Sequence, residues 1–232
     1  NDCDYSCYDN GGNSLVFDGV DDYVEFIHQM EINDFYTINS WVLREGSGYE
    51  SIFWAKDSNG ESKIEIYTQP DWLGNHLTVS HRSVGDFHYF PALPIGEPTF
   101  VSVVYEGGSQ GVVSVYYNGV FQESTDIVFD NISTIDSFYA GIIDDSSFGE
   151  TSYLNGHISY LDIWNIPLSS DQINSIMNSA SLDNELSHQA LVAQYKFNEG
   201  NANTLYDFSG NQNHGTIYGA EWLENYTDIN GC

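Results

Sequence analysis

The chemistry this chain could do is carried by side-chain oxygen. Two segments concentrate it: Asp57-Ser58-Asn59, and Ile143-Asp144-Asp145-Ser146-Ser147-Phe148-Gly149-Glu150. Neighbouring carboxylates and amides suit a hard cation such as Ca²⁺. With 34 Asp plus Glu against 5 Lys plus Arg, a merely solvated acidic loop is the plain alternative. Asp18 closes an apolar run containing Leu15 and Phe17 and precedes Gly19. Asp162 lies between Leu161 and Ile163, where a carboxylate needs hydrogen bonds or a cation. The plain readings are an Asx-turn at Asp18 and an exposed Asp162. Asp21 and Asp22 either join a cation site or form a polar turn.

Aromatic residues add a second kind of chemistry. Tyr49, Trp54, Trp72, His76, His81 and His88 crowd residues 49–90. Aromatic faces stack on the apolar C–H faces of sugars. Trp72, within Gln69-Pro70-Asp71-Trp72-Leu73-Gly74, has a loop-like context and is the first candidate platform. Trp54, Tyr49, Arg82 and Phe148 complete the candidate ligand-binding set. Trp41 and Trp164 sit in strand-like runs and read as core. Arg44, Lys56, Lys63 and Arg82 are four of the five basic residues. Their enrichment fits an anionic glycan, or chance.

Bulk properties narrow the field. A net charge of -29 repels nucleic acid and anionic membranes. No run approaches the roughly 18 apolar residues a membrane helix needs. No signal peptide opens the chain, so it reads as a mature or excised segment. Cys3, Cys7 and Cys232 all lie near the ends, without zinc-type spacing. A Cys3–Cys7 bridge, or a link from Cys232 to either, stays open, and the odd count suggests a partner elsewhere. No Gly-x-Ser-x-Gly or His-Glu-x-x-His motif occurs.

The elements that must position these residues are strands. Turn signals recur at Asp18-Gly19, Asn59-Gly60, Gly107-Gly108, Asn118-Gly119, Asn155-Gly156 and Ser209-Gly210. Short runs rich in Val, Ile, Tyr, Phe and Trp lie between them. Val112 to Phe121, with Asn118-Gly119 inside, reads as a hairpin. Phe100–Tyr105 and Ile158–Trp164 read as further strands. One short helix is expected near 169–178. Ser169 and Gln172 form its capping box, and Ile173, Ile176 and Met177 share a face. The fold class is therefore all-β, two packed antiparallel sheets with one short helix. Residues 1–12 read as a linker, 13–224 as one domain and 225–232 as a tail.

Five segments in order resemble the laminin-G-like, concanavalin A-like jelly-roll family. They are Asn13–Val24, Phe35–Val42, Val115–Gly119, Leu154–Ser169, and Leu191–Gly200 with Asp207–Gly210 and Asn213–Gly215. The resemblance implies a jelly roll whose first and last strands run side by side, which would bring Asp18 and Asp162 to one structural Ca²⁺. The acidic loop is similar to the calcium loop of pentraxins, and the 57–59 loop matches the position of their other ligand-bearing loop. Carried over, Asp57, Asn59, Asp144, Asp145 and Glu150 would bind Ca²⁺. The family has Gln and Glu where this chain has Ile143 and Asp144. Glycosidases and lyases of this fold carry a Glu-x-Asp-x-x-Glu run, and Glu61 and Glu65 do not match it. Asp2-Cys3-Asp4-Tyr5 and Gly231-Cys232 are similar to the Cys- and Asp-rich repeats of large secreted surface proteins of marine Bacteroidetes-type bacteria.

The expectation is a secreted or cell-surface, calcium-dependent polysaccharide-binding module. It would be monomeric, part of a larger chain and not an enzyme. An adhesion domain with purely stabilising Ca²⁺ is the alternative, and a polysaccharide hydrolase or lyase a lesser one.

Overall fold

The computed structural model describes residues 13–27, 35–81, 86–107, 110–128, 135–145, 150–178 and 188–224. Cys3, Cys7, Cys232, Arg82, Phe148 and both terminal segments lie outside them. Strands are numbered in chain order. The first are β1 (Ser14–Asp18), β2 (Tyr23–Phe26), β3 (Phe35–Arg44), β4 (Glu50–Lys56), β5 (Ser62–Thr68), β6 (His76–His81) and β7 (Asp86–Ala92). β8 (Thr99–Glu106), β9 (Gln110–Tyr117), β10 (Val120–Val128), β11 (Ser137–Ala140), β12 (Ile142–Asp145) and β13 (Glu150–Tyr153) follow. The chain continues through β14 (Asn155–Trp164), helix α1 (Ser170–Asn178), β15 (Leu191–Tyr195), β16 (Thr204–Leu205), β17 (Gly215–Tyr218) and β18 (Glu221–Leu223).

The first sheet runs β10-β9-β8-β3-β14-β1-β18, with β15 also on β14. The second runs β16-β17-β2-β11-β4-β5-β6-β7. All their pairings are antiparallel. This is the expected jelly-roll sandwich. Alternate residues of each strand point to opposite faces. Ile64 and Ile66 of β5, Leu77 and Val79 of β6, and Val113 and Val115 of β9 therefore meet in one core between the sheets. Residues on the other parity face outward and are free for other work.

Local signals set several elements. Asn118 (φ 50°) and Gly119 (φ 72°) both take the left-handed conformation between β9 and β10, as a two-residue hairpin turn demands. The Gln172 amide N–H donates to Ser169 Oγ (3.3 Å) and the Ser169 amide N–H to Gln172 Oε1 (2.8 Å), closing the capping box. Ile173, Ile176 and Met177 then lie against Phe100, Tyr160 and Trp164, so α1 covers part of the first sheet's outer face. Near the end of the chain the buried Asp207 carboxylate accepts from the amides of Gln194, Ser209 and Asn213 (2.8–3.0 Å).

The register corrects one expectation. β1 and β14 do run side by side, but antiparallel, with Asp18 opposite Asn155. Asp162 is seven residues further along β14, roughly 23 Å away at strand rise. The two aspartates cannot share an ion. Asp162 is instead fully buried and accepts from Asn39 Nδ2 (2.7 Å) and Tyr160 OH (2.7 Å). Burial pushes its pKa up to about 6, against the pull of those hydrogen bonds.

A second buried charge shapes the end of the sandwich. Arg44, at the end of β3, is 1% exposed. Its Nη1 donates to Asn75 Oδ1 and to the Leu93 carbonyl (3.3 Å), and its Nη2 to the Gly46 carbonyl (2.9 Å). Burial lowers its pKa, while the charges of Glu50 and Asp71 act the other way. One guanidinium thus ties the β3–β4 loop, the β5–β6 connection and the segment after β7.

Two outcomes are expected. Ionising Asp162 is harder folded than unfolded, so its contribution to stability is complete below about pH 4 and falls as pH rises toward 6. Between pH 4 and 7, urea unfolding should show Asp162→Asn gaining about 2–3 kcal/mol on the parent protein. A pH-independent difference would refute this. Arg44→Met should cost roughly 3 kcal/mol, because it strands three acceptors and a buried carboxylate. A melting temperature within two degrees of the parent's would refute the keystone role.

Candidate functional site

The loop held by Arg44 forms one wall of a cleft of about 750 Å³ on the second sheet's outer side. Gly46, Ser47, Gly48, Tyr49 and Glu50 line that wall. Glu65 and Tyr67, on the outward parity of β5, also line it. Asp18 and Gly19 join from the β1–β2 turn, with Asn155 beside them. Ile143, Thr151, Ser152 and Tyr153 come from the β12–β13 hairpin.

Local chemistry explains the shape. Glu50 is buried, and its carboxylate accepts from the Asn155 amide (2.6 Å) and the Gly48 amide (3.3 Å). A Cβ at position 46 would lie 1.8 Å from Glu50 Oε1, so only glycine lets the loop close over that carboxylate. The hairpin departs from β11 at Gly141, which has φ 85° and sits against the Phe17 ring. The Ser51 hydroxyl then donates to the Ser152 carbonyl (2.9 Å), fastening the hairpin to β4.

The cleft can offer a sugar three tyrosines (Tyr49, Tyr67 and Tyr153) and the exposed carboxylate of Asp18, with the buried carboxylates of Glu50 and Glu65 behind its wall. The rings of Tyr49 and Tyr67 are 6.2 Å apart. Tyrosine gives an apolar face with a polar edge, and carboxylates accept from hydroxyls. Among the described residues no Lys or Arg lines it.

At the rim, carboxylate oxygens of Asp18, Asp21 and Asp22 lie within 4.8 Å of one another. Asp22 is buried, and its Oδ2 accepts from the Asp18 amide (2.9 Å). Burial raises its pKa, and the charges of Asp18, Asp21 and Glu221 add to that. Three converging oxygen donors that repel one another are a donor set a hard dication fits. Asp18 also accepts from the Val20 amide (2.8 Å), so the Asx-turn and the acidic cluster coexist.

The other expected site residues are placed as follows. Asp57 is spent on its own turn. It accepts from the amides of Asn59 (2.9 Å) and Glu61 (3.0 Å) and pairs with Lys63 (3.0 Å). Burial would raise its pKa, but Lys63 and those amides hold it below the usual range. Asn59 is exposed on that turn. Asp144 is exposed and accepts from Thr151 Oγ1 (2.9 Å) within its own hairpin. Asp145 and Glu150 are opposite each other as the last described pair of β12 and β13.

Trp54 needs correcting as a stacking platform. It is 3% exposed, because Ile142, Ile143 and Tyr153 of the hairpin pack in one cluster with it and Tyr139. Its indole donates to Ser62 (2.7 Å). Trp72 is 77% exposed on a 3₁₀ turn, Asp71–Leu73, and Tyr49 is 38% exposed. The basic enrichment is also explained internally. Arg44 is buried, Lys56 lies 4.6 Å and 4.5 Å from the rings of Trp54 and Tyr139, and Lys63 is ion-paired. Glu50, Glu65, Tyr67 and Tyr153 were not expected at the site. The alternation Lys63-Ile64-Glu65-Ile66-Tyr67 marks Glu65 and Tyr67 as outward-facing, and that signal was available.

Residues 18–174 match the Laminin_G_3 model, described as the concanavalin A-like lectin/glucanases superfamily. The fold is similar to that of a native heptameric SAP-like pentraxin from Limulus polyphemus. That likeness has a TM-score of 0.60 at 18% identity, over 73% of this chain and 83% of that one. It is also similar to a Bacteroides ovatus protein described as carbohydrate binding, with a TM-score of 0.68 at 16% identity. There it covers 94% of this chain but only 61% of that protein's length. The binding domain of botulinum neurotoxin serotype G is a more distant likeness, with a TM-score of 0.50 at 12% identity over 71% and 42% of the two chains. No curated protein matches the chain. With well over half its length under one family model, the chain belongs to the concanavalin A-like lectin/glucanases superfamily.

Proposed function

We propose that this chain is a calcium-dependent carbohydrate-binding module of a secreted or cell-surface protein. One observation carries the reading: a cleft lined by three tyrosines that meets the Asp18, Asp21 and Asp22 cluster at its rim. Rings in a concave site bury the C–H faces of a pyranose, and the exposed Asp18 carboxylate accepts from its hydroxyls. Asp18, Asp21 and Asp22 would hold the ion. Bound there, Ca²⁺ supplies neutralising charge and coordination positions that sugar hydroxyls can take. Asp18 belongs to both the cleft and the cluster, which links the two.

Binding rather than turnover is favoured by the state of Glu50. Hydrolysis of a glycosidic bond uses two carboxyl groups, one to donate a proton and one as base or nucleophile. Glu50 is already engaged by the amides of Gly48 and Asn155 and works as a loop brace, and Glu65 is fully buried, which leaves Asp18 as the one exposed carboxylate among the described lining residues.

On a polysaccharide array followed by calorimetry, Tyr67→Ala and Tyr49→Ala should each weaken binding about tenfold with unchanged circular dichroism. A panel on which the parent protein binds nothing would sink the reading. Millimolar Ca²⁺ should raise the melting temperature, and Asp18→Asn with Asp21→Asn should remove that rise. Glycan affinity that is the same in EDTA would remove calcium from the mechanism and leave the cleft.

A further inference from the structure

We infer that the cleft is one end of an aromatic platform across β5, β6 and β7, so that the ligand is an internal stretch of an uncharged polysaccharide chain rather than a chain end. The inference rests on the carbohydrate-binding reading and specifies its ligand.

The argument starts from register. Tyr67 of β5 is opposite Thr78 of β6, and Thr78 is opposite Tyr89 of β7. Leu77 and Val79 are in the core, so Thr78 and Ser80 share the outward face with Tyr67 and Tyr89. That face puts two tyrosines two strand spacings apart, roughly 10 Å, with only small side chains between them. Thr78 and Ser80 are fully buried although they point outward, and their hydroxyls have no hydrogen-bond partner among the described residues. Larger neighbours must therefore lie across them. Tyr89 remains 54% exposed, and its ring is 6.1 Å from that of His76. Small residues on the middle strand thus leave no bulky side chain of β6 between the flanking rings of Tyr67 and Tyr89.

That surface joins the cleft. Tyr67 belongs to both. The turn carrying Trp72 is fastened to the cleft wall by the Asp71 amide, which donates to the Ser47 carbonyl (3.1 Å). The same turn folds back on the platform, since a Cβ at Gly74 would lie 2.7 Å from His76 Nε2. Asn75, the next residue, is gripped by Arg44. Trp72 is thus a highly exposed indole on an anchored turn beside the platform.

A site for a single terminal sugar needs one pocket. A row of rings leading out of that pocket along an open sheet suits consecutive units of a chain. The lining also sets the charge of that chain. Tyr67, Tyr89 and Trp72 carry none, and the cleft adds only carboxylates. The described Arg44, Lys56 and Lys63 are committed elsewhere. Among the described residues no uncommitted Lys or Arg lies along the platform, so uronate or sulfate groups on it would meet no side-chain cation.

The test uses the intact protein with laminarin, β-mannan, xylan and polygalacturonate, then oligomers of each from two to six units, in calorimetric titration. The expected result is that a neutral series binds, with affinity rising at least tenfold from the shortest oligomer that binds to the hexamer. Trp72→Ala and Tyr89→Ala should each erase most of that rise and leave the shortest oligomer's affinity within twofold. Both residues are exposed, so folding is not at stake. A flat length dependence, or a rise that survives both variants, overturns the platform while leaving the cleft. Preferential binding of the polygalacturonate series overturns the uncharged assignment. No binding of any polymer overturns the carbohydrate reading beneath it.

Discussion

Arg44 is the constraint on which the cleft depends. A guanidinium buried to this degree is tolerable only when hydrogen bonds replace its water. Here the replacements come from Gly46, Asn75 and Leu93, on three separate stretches of chain. Satisfying one charge therefore fixes three loops at once. Glu50 repeats the logic a few residues on, collecting the amides of Gly48 and Asn155. Between these two buried charges the loop that carries Tyr49 has little freedom. Arg44, whose place in the basic enrichment fitted an anionic glycan from sequence, is in the fold what makes the wall of the site rigid.

The two outer faces of the sandwich are treated differently, and this decides where a ligand can go. On the first sheet, α1 lies on Phe100, Tyr160 and Trp164. On the second, the β12–β13 hairpin folds over Trp54 and Tyr139 only. Beyond the hairpin, Tyr89 of β7 is 54% exposed, while Glu65, Thr78 and Ser80 on the same outward parity are buried. The hairpin therefore both buries one aromatic group and, with Ser152 and Tyr153, supplies an edge of the cleft beside another. A sheet covered along its whole outer face would have no such edge.

Much of the fold was legible because it rests on short-range rules. Asn118-Gly119, the Ser169–Gln172 box and the strand alternations act within a few residues, and each formed as expected. What depended on long-range register was not legible. That β1 and β14 are neighbours could be expected from resemblance, but the offset that separates Asp18 from Asp162 could not. Trp54 failed for a related reason. Its covering, Ile142 and Ile143, lies some ninety residues along the chain, and nothing local to Trp54 announces it. Tyr67 and Glu65 were legible in principle from period-two alternation. Neither is a tryptophan or a loop acid, and a cleft on a sheet draws on strand residues as much as on loops.

Charge distribution unites these points. A chain with 5 Lys plus Arg against 34 Asp plus Glu has few cations to place. The described ones in residues 44–63 each serve an internal purpose: a loop keystone in Arg44, a cation over two rings in Lys56, and a partner for Asp57 in Lys63. The acids at Asp18, Asp21 and Asp22 have no such counterion among the described ion pairs. Their mutual repulsion is a cost that an added dication would reverse. Because Asp18 stands in the cleft as well, relief of that repulsion and occupation of the cleft are coupled through one side chain. Under the proposed function such coupling is reciprocal: whatever calcium did for the sugar, the sugar would do for calcium.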